Sequence, residues 1–118
     1  MNKNLLLIII GIAIIIGGAF LLNKAPEGII LFYGDGCPHC ENVDNFISQN
    51  KIEDKVKFRR LEVFNNKDNA EILLQKAIVC KIDQKNIGVP FLWDGKKCLV
   101  GDEDIVKFFQ DKINQSNQ

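Results

Sequence analysis

The sequence predicts an α/β domain of the order βαβαββα, a three-layer sandwich with helices on both faces of one sheet, preceded by a transmembrane helix. Three observations predict it. Residues 5 to 22, eighteen in a row, carry no charge and no strongly polar side chain, close to the minimum that crosses a bilayer as a helix. Beyond them, short apolar runs rich in branched and aromatic residues alternate with stretches whose apolar residues recur at helical spacing. Gly36-Cys37-Pro38-His39-Cys40 directly follows the first of those runs.

A chain of 118 residues has room for one such domain. It divides into an N-terminal membrane anchor and hinge over 1–27, the domain over 28–113 and a flexible tail over 114–118. Lys3 precedes the apolar run, and Lys24 follows it with Glu27 close behind, so loop charge biases the orientation only weakly. The usual behaviour of a lone N-terminal segment places the amino terminus in the cytoplasm. The protein then reads as single-pass in the cell membrane, with its domain on the extracytoplasmic side. A cleaved signal peptide is the competing reading, with Gly17 and Ala19 as a small-residue cleavage site. Against it, the apolar run continues through Phe20, Leu21 and Leu22, and no cysteine lies there to accept a lipid. Both readings export the domain, and its four cysteines suit an oxidising compartment. The formal net charge is zero, so no broad electropositive surface suggests a nucleic-acid partner, and only local patches are left to bind polyanions.

Element by element, residues 23–28 form a hinge punctuated by Pro26 and Gly28. Residues 29–33 make a buried strand, ended by Gly34-Asp35-Gly36. Pro38 suits a first helical turn, where its missing N–H costs nothing. Val43, Phe46 and Ile47 then give residues 38–49 an apolar helix face. Residues 56–64 alternate as a second strand, with Val56 and Phe58 on one face and a shift of phase near Arg59 and Arg60. After a turn over 65–68, Ala70, Leu73, Leu74, Ala77 and Ile78 mark the apolar stripe of a second helix that ends before Asp83. Gly88-Val89-Pro90 interrupts the chain. Residues 91–94 and 96–100 pair as a hairpin turning at Asp94-Gly95. From Gly101, the acids Asp102, Glu103 and Asp104 cap a last helix whose inner side carries Ile105, Val106, Phe108, Phe109 and Ile113.

The Cys37/Cys40 pair has three chemical readings. As half of a zinc site it needs two more ligands beside it, and Cys80 and Cys98 supply them only if they leave the helix and strand that periodicity assigns them. As a structural disulfide it stiffens a helix start. As a redox pair it uses every local feature, because a cysteine at a helix N-terminus meets free N–H groups and the positive end of the dipole, both of which favour its thiolate. Cys37 is then the attacking thiol, and Cys40, one turn inward, resolves the mixed disulfide. A protonated His39 adds to the thiolate's stability, with Asp35 opposing it if its side chain turns the same way. Stabilising the thiolate stabilises the reduced protein and makes the oxidised protein the better oxidant. This chemistry calls for no metal and no cofactor.

The element order, the CPHC motif after the first strand and the Gly-Val-Pro before the hairpin resemble the thioredoxin superfamily across essentially all of residues 28–113. The compact length is most similar to the glutaredoxin branch, while the Pro-His dipeptide resembles that of DsbA-type oxidants. The resemblance implies that Pro90 follows a cis peptide bond and packs beside the disulfide, and that the backbone of Val89 pairs with an extended substrate. It also implies protein thiols or disulfides as substrates, and a redox-recycling partner, membrane-bound or soluble, that resets the pair. Gly36 stands where thioredoxins carry an aromatic residue, the first strand lacks a buried acid, and no glutathione site can be matched. In such a sheet the end of the second helix lies near the hairpin edge, which makes a Cys80–Cys98 disulfide feasible, contributing ~3 kcal/mol by loop entropy. Two separate buried thiols and an electron relay to Cys37 and Cys40 are the alternatives. Trp93 reads as a partly buried hairpin residue, and Tyr33 as a packing residue near the disulfide.

The expected function is a membrane-anchored extracytoplasmic thiol-disulfide oxidoreductase. Its rival is a non-enzymatic thioredoxin-like binding or assembly module that holds a partner at Val89 and Pro90, since a fold does not fix a function.

Overall fold

Four strands form one mixed sheet in the order β2-β1-β3-β4. The computed structural model describes residues 2–22 and 28–118, the side chains of 17–22 excepted. Its elements are α1 (Lys3–Leu22), β1 (Ile29–Tyr33), α2 (Pro38–Gln49), β2 (Phe58–Glu62), α3 (Lys67–Val79), β3 (Phe91–Trp93), β4 (Cys98–Val100) and α4 (Asp102–Ser116), with 3-10 turns at Ile52–Asp54 and Gln84–Asn86. After α1 the order is the βαβαββα of the sequence reading. β2 runs parallel to β1 with Ile29 opposite Phe58. β3 runs antiparallel to β1 with Leu31 opposite Leu92, and β4 antiparallel to β3 with Leu92 opposite Leu99.

Alternation along the strands sends side chains to opposite faces, and both faces are covered. Leu31 and Leu92 join Val43 and Ile47 of α2 and Ile105, Phe109 and Ile113 of α4. On the other face Ile30, Phe32, Phe91 and Trp93 meet Leu73 and Ala77 of α3. This double cover explains why Ile30, Leu31 and Phe32 are all buried in succession. Each such aliphatic or aromatic side chain contributes about 1.5–3 kcal/mol when removed from water.

Several details differ from the sequence reading. The second strand is shorter than 56–64, because the Val56 N–H closes a turn on the Ile52 carbonyl and the N–H groups of Phe64 and Asn65 are taken by the Glu62 carboxylate. On α3 the buried face is Leu73, Lys76 and Ala77, while Leu74 and Ile78 face out. The lysine accounts for the rotation: its Nζ stands 4.9 Å from the centre of the Trp93 ring, so its stem covers apolar surface that periodicity would give to leucine. The last helix continues through Ser116, into the segment read as a flexible tail over 114–118. Gln110 Nε2 donates to Asn114 Oδ1 and Ser116 Oγ to the Ile113 carbonyl, so polar side chains there serve the helix. The hinge residues 23–27 and the side chains of the cleavage-site candidates Gly17 and Ala19 lie outside the described residues. Within α1 the large aliphatic residues from Leu5 to Ile16 are exposed. Among the described residues, which in α1 leave out the side chains of 17–22, no helix is long and apolar enough to cross a membrane.

Candidate functional site

The chain leaves β1 through Gly34-Asp35-Gly36, and Gly36 takes a φ of +76°, a conformation that disfavours any residue with a Cβ. That turn delivers Cys37 to the N-cap of α2, with Pro38 at the first helical position. The Cys40 N–H donates to Cys37 Sγ at 3.2 Å, so the sulfur does what a serine or aspartate oxygen does at most helix starts. Cys37 and Cys40 are at disulfide distance, with Cα atoms 5.2 Å apart. Their exposure is unequal: Cys37 is half-buried, whereas Cys40 is only 3% exposed. A cleft of about 260 Å³ opens beside them, lined by Tyr33, Gly34, Asp35, Glu41 and Asp44.

On the other side of Cys37 stands the turn before β3. The Val89–Pro90 peptide bond is cis, Pro90 is fully buried, and the Val89 carbonyl oxygen lies 3.8 Å from Cys37 Sγ. The Pro90 carbonyl accepts from the Gly101 N–H at 3.0 Å, which draws the start of α4 toward the same end of the sheet. There Asp102 does something other than the helix capping expected of it. Its Oδ2 accepts from Asn42 Nδ2 at 2.7 Å and lies 3.3 Å from His39 Nδ1. Hydrogen bonding by Asn42 first, then by His39, holds the Asp102 carboxyl below its usual range. His39 itself is exposed, with 72% of its side chain open to solvent.

A second carboxylate organises the opposite rim. Glu62 accepts from the N–H groups of Phe64 at 2.7 Å and Asn65 at 2.9 Å, and from that of Asp35 at 3.4 Å. Asn65 Nδ2 also donates to Asp35 Oδ2 at 3.3 Å, so the Asp35 side chain is engaged with this neighbouring loop. Desolvation pushes the Glu62 carboxyl up, but the N–H groups of Asn65, Phe64 and Asp35 together outweigh it and leave the group lowered. Tyr33, which ends β1, lies under the Arg60 guanidinium at 5.4 Å, and Arg60 pairs with Asp44 and Glu53.

The remaining cysteines are joined to each other, Cys80 to Cys98, with Cα atoms 6.1 Å apart. Cys80 is the C-cap of α3, and Cys98 Sγ lies 3.4 Å from the Lys76 carbonyl oxygen. Both pack against the cluster that contains Trp93, which is buried more deeply than the sequence reading had it and whose Nε1 has no hydrogen-bond partner among the described residues.

The structure therefore gathers Cys37, Cys40, His39, Val89 and Pro90 at one end of the sheet and bonds Cys80 to Cys98 in a separate pair. Sequence reasoning missed Asn42 and Glu62, and it read Asp102 only as a helix cap. For Asn42, its place three residues after His39 on one helix face was a usable signal. The others come from segments far apart in the chain. Compared with known proteins, the chain matches no protein-family model and no curated protein. What stands is a mixed α/β domain with a CxxC disulfide at a helix N-terminus.

Proposed function

We propose that the protein is a membrane-anchored, extracytoplasmic thiol-disulfide oxidoreductase of thioredoxin/glutaredoxin-like fold that exchanges disulfides with protein substrates through Cys37 and Cys40. The observation that carries the reading is the asymmetry of the pair. One sulfur is half-exposed and accepts a helix N-terminal N–H, and the other is enclosed. That is the division of labour between an attacked cysteine and a resolving one. The strand order, the cysteine pair after β1 and the cis proline before β3 support the fold assignment.

In the oxidising direction a substrate thiolate attacks Cys37 Sγ. The Cys37–Cys40 bond breaks, and Cys40 leaves with the electron pair as a thiolate. A second substrate thiolate then attacks the substrate sulfur of the mixed disulfide and releases Cys37 as a thiolate. The substrate loses two electrons and two protons. The protein dithiol gains the electrons, and solvent or the two cysteines take the protons. The reverse sequence reduces a substrate disulfide, with Cys40 resolving. At the rim, Val89 offers its carbonyl to an extended substrate, and a redox-recycling partner resets the pair.

The anchor rests on the uncharged run 5–22, which is helical and keeps its described aliphatic side chains uncovered by protein, an arrangement unfavourable in water. Two disulfides in one small domain support an oxidising compartment.

The test is the reduction potential of Cys37–Cys40 in the full-length protein in detergent. The protein is equilibrated against glutathione, and each cysteine pair is scored by thiol trapping and peptide mass. A value near or above about −180 mV supports disulfide donation, and one around −230 to −270 mV supports reduction. A value below about −300 mV marks a structural bond and sinks the enzymatic reading in favour of the binding module.

A further inference from the structure

Phe64 is held in the open. Of the phenylalanines whose side chains are described, it is the one left exposed, at 60%. The loop that carries it is far from slack. Val63 N–H donates to the Tyr33 carbonyl at 2.9 Å, and the Glu62 carboxylate takes the N–H groups on both Phe64 and Asn65. Val63 turns inward to the α3-side core, which leaves its neighbour facing out.

The ring lies flat against Gly34. A Cβ placed on that glycine would stand 2.3 to 2.5 Å from three atoms of the Phe64 ring, nearer than unbonded carbons approach. Gly34 is not among the residues with positive φ, so the feature that distinguishes this position is the ring, which occupies the space a Cβ would take and would have to move aside for one. The two residues are matched across 30 positions of sequence to seat an exposed aromatic ring at one place. That place adjoins the disulfide: the Gly34 carbonyl accepts from the Cys37 N–H at 3.2 Å, and Gly34 lines the cleft together with both cysteines. Phe64 is not itself a lining residue of that cleft, whose side chains besides the cysteines are Tyr33, Asp35, Pro38, Glu41 and Asp44; its ring sits beside it, against Gly34.

We propose that Phe64 is a specificity-determining residue that packs against an apolar side chain next to the reactive cysteine of an extended protein substrate. The proposal rests on the oxidoreductase reading and names the class of substrate that the same site prefers. A ring whose backbone is already held by Glu62 costs less to order on binding such a side chain, and burying its open face removes apolar area from water.

The experiment uses oxidised full-length protein in detergent and an excess of one of two reduced peptides, each with a single cysteine. In one peptide leucines flank the cysteine, and in the other serines do. Two peptide thiols become one peptide disulfide as Cys37–Cys40 becomes a dithiol, so the half-saturating concentration and limiting rate can both be read. The wild-type protein is expected to prefer the leucine peptide. Phe64→Ala raises the half-saturating concentration for that peptide about tenfold, leaving the limiting rate, the Cys37–Cys40 potential and the serine peptide unchanged. Phe64→Leu restores most of the preference, and Gly34→Ala, which unseats the ring without removing it, weakens it. Equal effects on both peptides, no effect, or a shifted potential overturn the specificity role while the oxidoreductase reading stands. Failure of the wild-type protein either to oxidise the reduced peptides or to reduce their disulfides overturns both.

Discussion

The two disulfides of this domain are the same bond set at opposite kinds of helix end, the N-terminus of α2 and the C-terminus of α3. Cys37 is the N-cap of α2, where unpaired N–H groups and the positive end of the dipole favour a thiolate. Cys80 is the C-cap of α3, where carbonyl groups and the negative end oppose one. The first pair spans three residues of sequence and the second eighteen, so closing the second removes more freedom from the unfolded chain. One pair is therefore suited to being broken and remade, and the other to holding α3 against the hairpin edge. Sequence composition alone, four cysteines in a small domain, does not separate these roles; their positions on helices do.

Breaking the comparison at its strongest point means removing one sulfur at a time. Cys37→Ala is expected to abolish peptide thiol oxidation, whereas Cys40→Ser, given a peptide disulfide, displaces one peptide thiolate through Cys37 and keeps the resulting mixed disulfide, which survives to non-reducing electrophoresis. The double variant Cys80→Ser, Cys98→Ser is expected to keep exchange at Cys37 and to lose about 3 kcal/mol of stability in denaturant titration. A loss of exchange with stability intact would reverse the assignment and favour an electron relay.

A smaller effect sharpens the comparison in the reduced protein. Alkylation by iodoacetamide near pH 6.5, followed by peptide mass, is expected to mark Cys37 well before Cys80. His39→Ala is expected to make the Cys37–Cys40 potential more negative, by about 30 mV for each ~1.4 kcal/mol of lost thiolate stabilisation. The exposure of His39 keeps this shift modest, and the Cys80–Cys98 pair should not respond to it.

The smallest effect concerns the two carboxylates that frame the site. Glu62 and Asp102 are both held below their ordinary values of 4.5 and 3.8. A group whose folded value is depressed adds stability that is fully present above the unfolded value and is lost as pH falls through the folded one. The melting temperature should therefore decline as pH drops from about 5 to below about 3. Glu62→Gln and Asp102→Asn are each expected to flatten that decline in a calorimetric series by lowering the neutral-pH melting temperature slightly toward the acid value.

Legibility followed the range of the interaction. The bounds of α2 were readable because Pro38 and the 43, 46, 47 spacing are local, and so was the hairpin, where Asp94 Oδ1 accepts from the N–H groups of Lys96 and Lys97 and Gly95 takes a φ of +102°. The buried face of α3 was misread because Lys76 buries its stem against Trp93, an arrangement that no hydrophobic pattern encodes. Asp102 was read as a cap because its actual partners, Asn42 and His39, lie some 60 residues away. Gly34 looked like a strand terminator, and its service as a seat for Phe64 required the β2–α3 loop to be in place.

The Cys80–Cys98 bond also fixes how the domain carries load. Tension along the chain from α3 to α4 passes through that bond, and the residues between it, which include Val89, Pro90 and all of β3, bear none of it. A stretched molecule hides roughly 55 Å of contour, eighteen residues at about 3.4 Å each less the 6.1 Å already spanned between the two Cα atoms. Adding a reductant during single-molecule extension should release that length in one step, and the Val89–Pro90 turn beside Cys37 would come under force only then.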